Sequence, residues 1–182
     1  MFIQTESTPN PLTLKFIPGV LVMQGGTAFY TDAGAAGDSP LAVALFEVPG
    51  VRAVFLGADF VTVTRAEESG WDVLKPALLT TIMEHFVAGH KAATAKPATS
   101  ASDADDDEIV KQIRELIDTR VRPAVAQDGG DIIYRDFKDG IVRLELHGSC
   151  SGCPSSTATL KQGIENMLRH YVPEVLSVEA VA

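Results

Sequence analysis

Cysteine is nearly absent from this chain. Two occur in 182 residues, so no disulfide framework can hold the fold, and a reducing compartment is the expected environment. Basic charge is short as well: 15 Lys and Arg stand against 24 Asp and Glu, for a net charge of -9. Without a surplus of cations on some face a chain cannot neutralise a phosphate backbone, which argues against nucleic acid as a principal partner. Long apolar runs are missing too, since a membrane span needs about 18 consecutive apolar residues. Even the long uncharged stretch from Phe16 to Thr31 contains Pro18, Gln24, Gly25 and Gly26. A signal peptide is not expected either, because Met1-Phe2-Ile3 is interrupted at Gln4 and Glu6 and broken by Pro9 and Pro11.

What is present describes a globular chain, with 46% hydrophobic and 21% charged residues. The negative charge is concentrated. Asp103, Asp105, Asp106, Asp107 and Glu108 supply more than half of the imbalance, and the parts on either side are close to neutral. That acidic stretch ends a run rich in Ala, Thr and Ser, residues 89–106, which contains Pro97 and no large apolar residue. Such a segment cannot bury enough surface to offset the entropy of ordering it. It divides the chain into an N-terminal domain, 1–88, a flexible linker, 89–106, and a C-terminal domain, 107–182.

Both domains alternate between strand and helix periods. In the first, Leu12 to Phe16 has period two, Pro18-Gly19 turns the chain, and Val20 to Met23 offers a second strand of a hairpin. Ser39-Pro40 opens a short helix through Phe46. Val51 to Leu56 and Phe60 to Arg65 flank the hairpin loop Gly57-Ala58-Asp59, and Trp71 to Val87 sets Leu74, Leu78, Ile82 and Phe86 along one helical face. The expected order is ββαββα. His85 and His90 fall at a helix end and in the linker, where a surface role is expected. Ser7 to Pro11 is turn chemistry. In the second domain, Ile109, Ile113, Leu116, Ile117 and Val121 share a helical face that Pro123 is expected to end. Asp128-Gly129-Gly130-Asp131 then turns into the strand 132–137, and Asp139-Gly140 turns into the strand 141–147. Pro154 opens a last helix, and 175–181 is a final strand, giving αββαβ. The fold class is therefore α+β, as two small domains.

Both cysteines fall in Gly148-Ser149-Cys150-Ser151-Gly152-Cys153-Pro154-Ser155-Ser156, between a strand end and a helix start. Proline at the first helical position places Cys153 near the N-cap, where backbone amides and the helix dipole favour an anion. The thiol pKa values are expected to fall there. Three readings remain open. The thiols could be idle small residues, although Gly, Ser and Pro neighbours suggest an exposed loop; they could form a thiol–disulfide oxidoreductase, whose motif sits in a βαβ context absent here; or they could be half of a metal centre. A tetrahedral or cluster site usually needs four ligands. His147 as a third ligand is a weak candidate, because a strand-end His is ordinarily exposed. A twofold dimer that brings two loops together supplies four thiolates.

The stretch Val121-Arg122-Pro123-Ala124-Val125-Ala126-Gln127-Asp128-Gly129-Gly130-Asp131, followed by the cysteine loop, closely resembles the C-terminal domain of the NifU family, the Nfu-type iron–sulfur proteins. Phe2 to Glu6, Thr8-Pro9-Asn10-Pro11 and Leu14-Lys15-Phe16 resemble the N-terminal domain that accompanies it. The resemblance implies a scaffold or carrier rather than an enzyme. It implies that Cys150 and Cys153 ligate a [4Fe–4S] cluster of iron and sulfide across a homodimer, with a monomer in the unloaded form. The implied partners are apo iron–sulfur proteins and upstream cluster-assembly proteins. With no additional targeting stretch, a bacterial cytoplasmic protein is expected, or the mitochondrial matrix for a processed eukaryotic form.

Overall fold

A turn built by Thr8 and Asn10 organises the start of the chain in the computed structural model, which describes residues 1–94, 107–152 and 154–181, the side chain of Ser156 apart. Thr8 Oγ1 donates to the carbonyls of Asn10 and Thr13, both at 2.9 Å, and Asn10 Oδ1 accepts from the Leu12 amide at 3.0 Å. These side chains take over backbone hydrogen bonds in the turn. Strand β1 (Gln4–Ser7) thereby pairs antiparallel with β2 (Thr13–Ile17). The expected partner of β2 is different, because Val20 to Met23 form no strand. In the five-stranded sheet, order β1-β2-β5-β4-β3, both edges of β2 are already taken. The amides of Val22 and Met23 donate instead to the Ala58 carbonyl, at 2.8 and 3.1 Å.

The remaining elements of this unit are β3 (Ala28–Tyr30), α1 (Pro40–Phe46), β4 (Val51–Leu56), β5 (Val61–Arg65) and α2 (Trp71–Val87). Ser39 caps α1 by accepting from the Ala42 amide at 3.1 Å. Leu41 and Leu45 of α1, and Leu74, Leu78 and Ile82 of α2, pack with Phe16, Val54, Leu56, Val61 and Val63 of the sheet in one buried core. The order is βββαββα, one strand more than the sequence pattern suggests, and still α+β.

The chain divides into Met1–Ala98 and Thr99–Ala182, and residues 89–94, expected to open the linker, do not behave as one. Residues 89–94 are fastened to the first unit. Ser39 Oγ donates to the Ala92 carbonyl at 2.5 Å, the Thr94 amide and hydroxyl donate to the Asp38 carbonyl, and Ala92 is buried. His85 is buried as well, with Nε2 3.0 Å from the Lys91 carbonyl. It is thus a packed histidine and not the surface residue expected. Burial holds its imidazole below the ordinary range, with the Lys91 carbonyl opposing and His90 reinforcing that shift. The rest of the expected linker, residues 95–106, lies outside the described residues.

In the second unit α3 (Glu108–Leu116) does not stop before Pro123. It passes through a π turn, Ile117–Val121, into α4 (Arg122–Gln127). Proline lacks an amide proton and its ring collides with a carbonyl one turn back, so a regular helix would break. The wider turn avoids the collision and leaves Pro123 in the first turn of α4, where no amide donor is needed. β6 (Gly130–Lys138) and β7 (Ile141–Gly148) form a hairpin around Asp139 and Gly140, both at positive φ. Helix α5 (Pro154–Tyr171) carries the chain across to β8 (Ser177–Val181), which runs parallel to β7, so β7, α5 and β8 form the βαβ unit that the sequence pattern does not reveal. Ile113, Ile117, Val121 and Val125 meet Ile132, Val142, Leu144, Ile164 and Leu168 in the core.

Candidate metal centre

Strand β7 ends at Gly148 and α5 begins at Pro154, so the cysteine loop is held at both ends by regular structure. Gly148 and Gly152 lie at φ 64° and 82°, the left-handed region that a β-carbon disfavours. Between them the chain reverses tightly: the amide and hydroxyl of Ser151 both donate to the Gly148 carbonyl, at 3.1 and 3.0 Å.

Cys150 does not face solvent as its Ser and Gly neighbours suggest. It is 6% exposed and belongs to the hydrophobic core of the unit. The space it occupies is made by Gly130. A β-carbon there would collide with Cys150 Sγ and would stand 2.8 Å from the His147 carbonyl oxygen and 3.1 Å from the Cys150 amide nitrogen. Gly130 also pairs with Gly148 in the β6–β7 ladder. The Asp-Gly-Gly-Asp turn is therefore the seat of the cysteine loop.

Further bonds fix the loop on that seat. Ser149, 2% exposed, donates from Oγ to the Asp128 carbonyl and from its amide to the Gly129 carbonyl at 3.3 Å. Thr157 in the first turn of α5 donates to the Cys150 carbonyl at 3.1 Å. The seat is itself clamped. Arg122 Nε and Nη2 reach the two carboxylate oxygens of buried Asp131, each at 2.9 Å, and Asp131 Oδ1 also accepts from the Ile132 amide at 2.8 Å. This two-pronged geometry ties α4 to the start of β6.

Burial pushes the Cys150 thiol up to about 12, a hydrogen bond with Ser149 opposes this, and the charges of Asp128 and Asp131 add to it. The expected lowering is overturned, because desolvation of a thiolate outweighs a helix dipole when the sulfur lies in an apolar core. Cys153, the other expected ligand, lies outside the described residues.

His147 is not exposed either. It is buried, with Nε2 2.7 Å from Glu145 Oε1. Burial alone would push the Glu145 carboxyl up, but hydrogen bonds from His147 and Arg135 hold it below its ordinary range. Among the described residues no group of three or more His, Cys, Asp or Glu is placed to hold a metal ion. None of their helices is long and apolar enough to cross a membrane. Sequence reasoning found the cysteine loop and the glycine turn but not their contact. It also missed Arg122, Ser149 and Thr157, whose partners lie 9, 21 and 7 residues away, beyond any short-range pattern.

Two family models match the chain: "NifU-like domain" over residues 113–179 and "Scaffold protein Nfu/NifU N terminal" over residues 3–89. A human protein, "NFU1 iron-sulfur cluster scaffold homolog, mitochondrial", is 53% identical over all of this chain and 72% of its own length. "NifU-like protein 5, mitochondrial" of Arabidopsis thaliana is 51% identical over 98% of this chain and 67% of that protein. The homologue of Drosophila virilis with the same name as the human one is 51% identical over all of this chain and 62% of that protein. Identity of this level along both units, with the glycine turn seating the cysteine loop, makes the chain a member of the Nfu family of iron–sulfur cluster scaffold proteins.

Proposed function

We propose that the chain carries a [4Fe–4S] cluster as cargo, held by Cys150 and Cys153 of two copies, and passes it to apo iron–sulfur proteins after receiving it from upstream assembly proteins. The ligand count carries this reading. The chain has two cysteines, both in the sequence stretch between the end of β7 and the start of α5, whereas a cluster of this kind takes four thiolates. A second copy supplies the missing pair with no new chemistry. Dissociation then removes half of the ligands at once, which suits delivery better than electron transfer.

The family membership supports the scaffold role and does not specify the cluster type or the bridging. The dithiol oxidoreductase is the second reading; it needs a nucleophile that is accessible and readily ionised at rest, whereas the resting loop buries Cys150. The relatives are named as mitochondrial proteins, which agrees with the matrix alternative of the sequence expectation and not with its bacterial cytoplasm. The proposal requires of either compartment only that it be reducing.

Anaerobic incubation with iron and sulfide tests the reading. The loaded protein is expected to develop a broad absorbance at about 400 nm, and Cys150→Ala or Cys153→Ala is expected to abolish it. Retention of the same spectrum by either variant would sink the ligand assignment.

A further inference from the structure

We propose that Thr157 and Ser149 are positioning residues that latch the segment Gly148–Gly152 shut, sheathing the Cys150 sulfur in the core of its own unit, and that cluster uptake requires this segment to turn outward. The final step rests on the carrier reading above; the sheath itself does not.

The geometry leaves little alternative. A thiolate shared with a second copy must reach the protein surface, yet Cys150 is 6% exposed and packs in the core with its sulfur against Gly130. Bonds outside the sulfur hold the closed position. Ser149 donates from its hydroxyl to Asp128 and from its amide to Gly129, and Thr157 donates to the carbonyl of Cys150 itself. These are local bonds and each can be exchanged for water. The segment is bounded by Gly148 and Gly152, both at positive φ, and a β-carbon at Gly152 would meet nothing within 4 Å. The outer hinge thus lies in open space, free to absorb a backbone rotation.

The sheath has a chemical consequence for the unloaded chain. A buried thiol is slow to be oxidised or alkylated, so a carrier awaiting its cargo keeps one ligand protected. Loading exchanges that protection for metal bonds, and release allows the segment to close again.

The test uses the metal-free full-length chain with Cys153→Ser, which leaves Cys150 as the one thiol. Its rate of alkylation by iodoacetamide, followed by intact mass, is compared with that of the same chain unfolded in guanidinium. Protection of about tenfold or more is expected in the folded chain. Thr157→Val removes the hydroxyl at nearly constant shape and is expected to raise the rate about fivefold, the effect of one ordinary hydrogen bond. Thr157→Ser keeps the hydroxyl and should leave the rate at the parent value. Far-UV circular dichroism checks that each variant is folded. A folded parent that reacts as fast as the unfolded chain overturns the sheath. Equal rates for Thr157→Val and Thr157→Ser overturn the latch. Because no metal is present, either result can occur while cluster reconstitution succeeds, so failure of the latch is distinct from failure of the carrier reading.

Discussion

Gly130→Ala probes the seat of the cysteine loop with a single methyl group. The added carbon would collide with Cys150 Sγ and stand 2.8 Å from the His147 carbonyl oxygen and 3.1 Å from the Cys150 amide nitrogen. A flexible side chain could move away, but two of these three neighbours are backbone atoms in or beside β7. The site therefore has to shift the loop away from β6 or strain the ladder pair Gly130–Gly148. Overpacking of this kind costs about 1–3 kcal/mol, and the backbone contacts put the expected value at about 3 kcal/mol. A unit of about 80 residues has about 4–12 kcal/mol in all, so the loss is a large share. With a urea slope of about 1 kcal/mol per molar, the midpoint should fall by about 3 M or the unit should unfold outright. Far-UV circular dichroism follows both units. The single tryptophan, Trp71, lies in the first unit, so its fluorescence reports that unit separately and should not move. Gly163→Ala is the contrast: that glycine is inside α5 with nothing within 4 Å of the new carbon, and the substitution should stabilise by about 1 kcal/mol. If Gly130→Ala and Gly163→Ala shift the midpoint alike, the packing of Cys150 against Gly130 is wrong.

Three further outcomes follow from the same geometry. Asp131→Asn removes one charge of a buried two-pronged pair and should cost about 2 kcal/mol in the second unit, below the usual figure for buried pairs because Arg122 is half-exposed and retains Asp118; an unchanged urea midpoint would refute the clamp. His85 has a lowered pKa in the folded state, so below its ordinary value of about 6.5 the unfolded chain takes up the proton first. Stability of the first unit should therefore be constant above that pH and fall as pH drops through the window beneath it; Trp71 fluorescence in urea at a series of pH values checks this, and His85→Gln should flatten the slope. Ser39→Ala removes both the cap of α1 and the bond to Ala92, and should cost the first unit about 2 kcal/mol while hastening proteolysis after residue 89.

Where local pattern and tertiary context agree, the fold was readable from residues alone. Trp71 to Val87 and Pro40 to Phe46 are helices with the expected bounds, and the Gly57 and Asp139-Gly140 turns join the expected strands. The misreadings have physical causes. Gln4–Ser7 is a polar edge strand, and partnership with β2 rather than alternation makes it a strand. Val20 to Met23 has strand-like residues but no open sheet edge to join. Pro123 ends a regular helix but not one that widens by a residue. The candidate site divides in the same way. Two cysteines between a strand and a helix-opening proline were visible in the sequence. The inward course of Cys150 was not, because it depends on Gly130 vacating room 20 residues upstream. The buried state of His85 and of His147 likewise depends on partners, Lys91 and Glu145, that residue type does not disclose.

In the proposed function one chain contributes half of a cluster site. Native mass spectrometry of the anaerobically loaded protein measures iron and chain count in a single species. Two chains with about four irons and four sulfides are expected, and a single chain once the cluster is removed by a chelator. A complete [4Fe–4S] cluster on a single chain would contradict it.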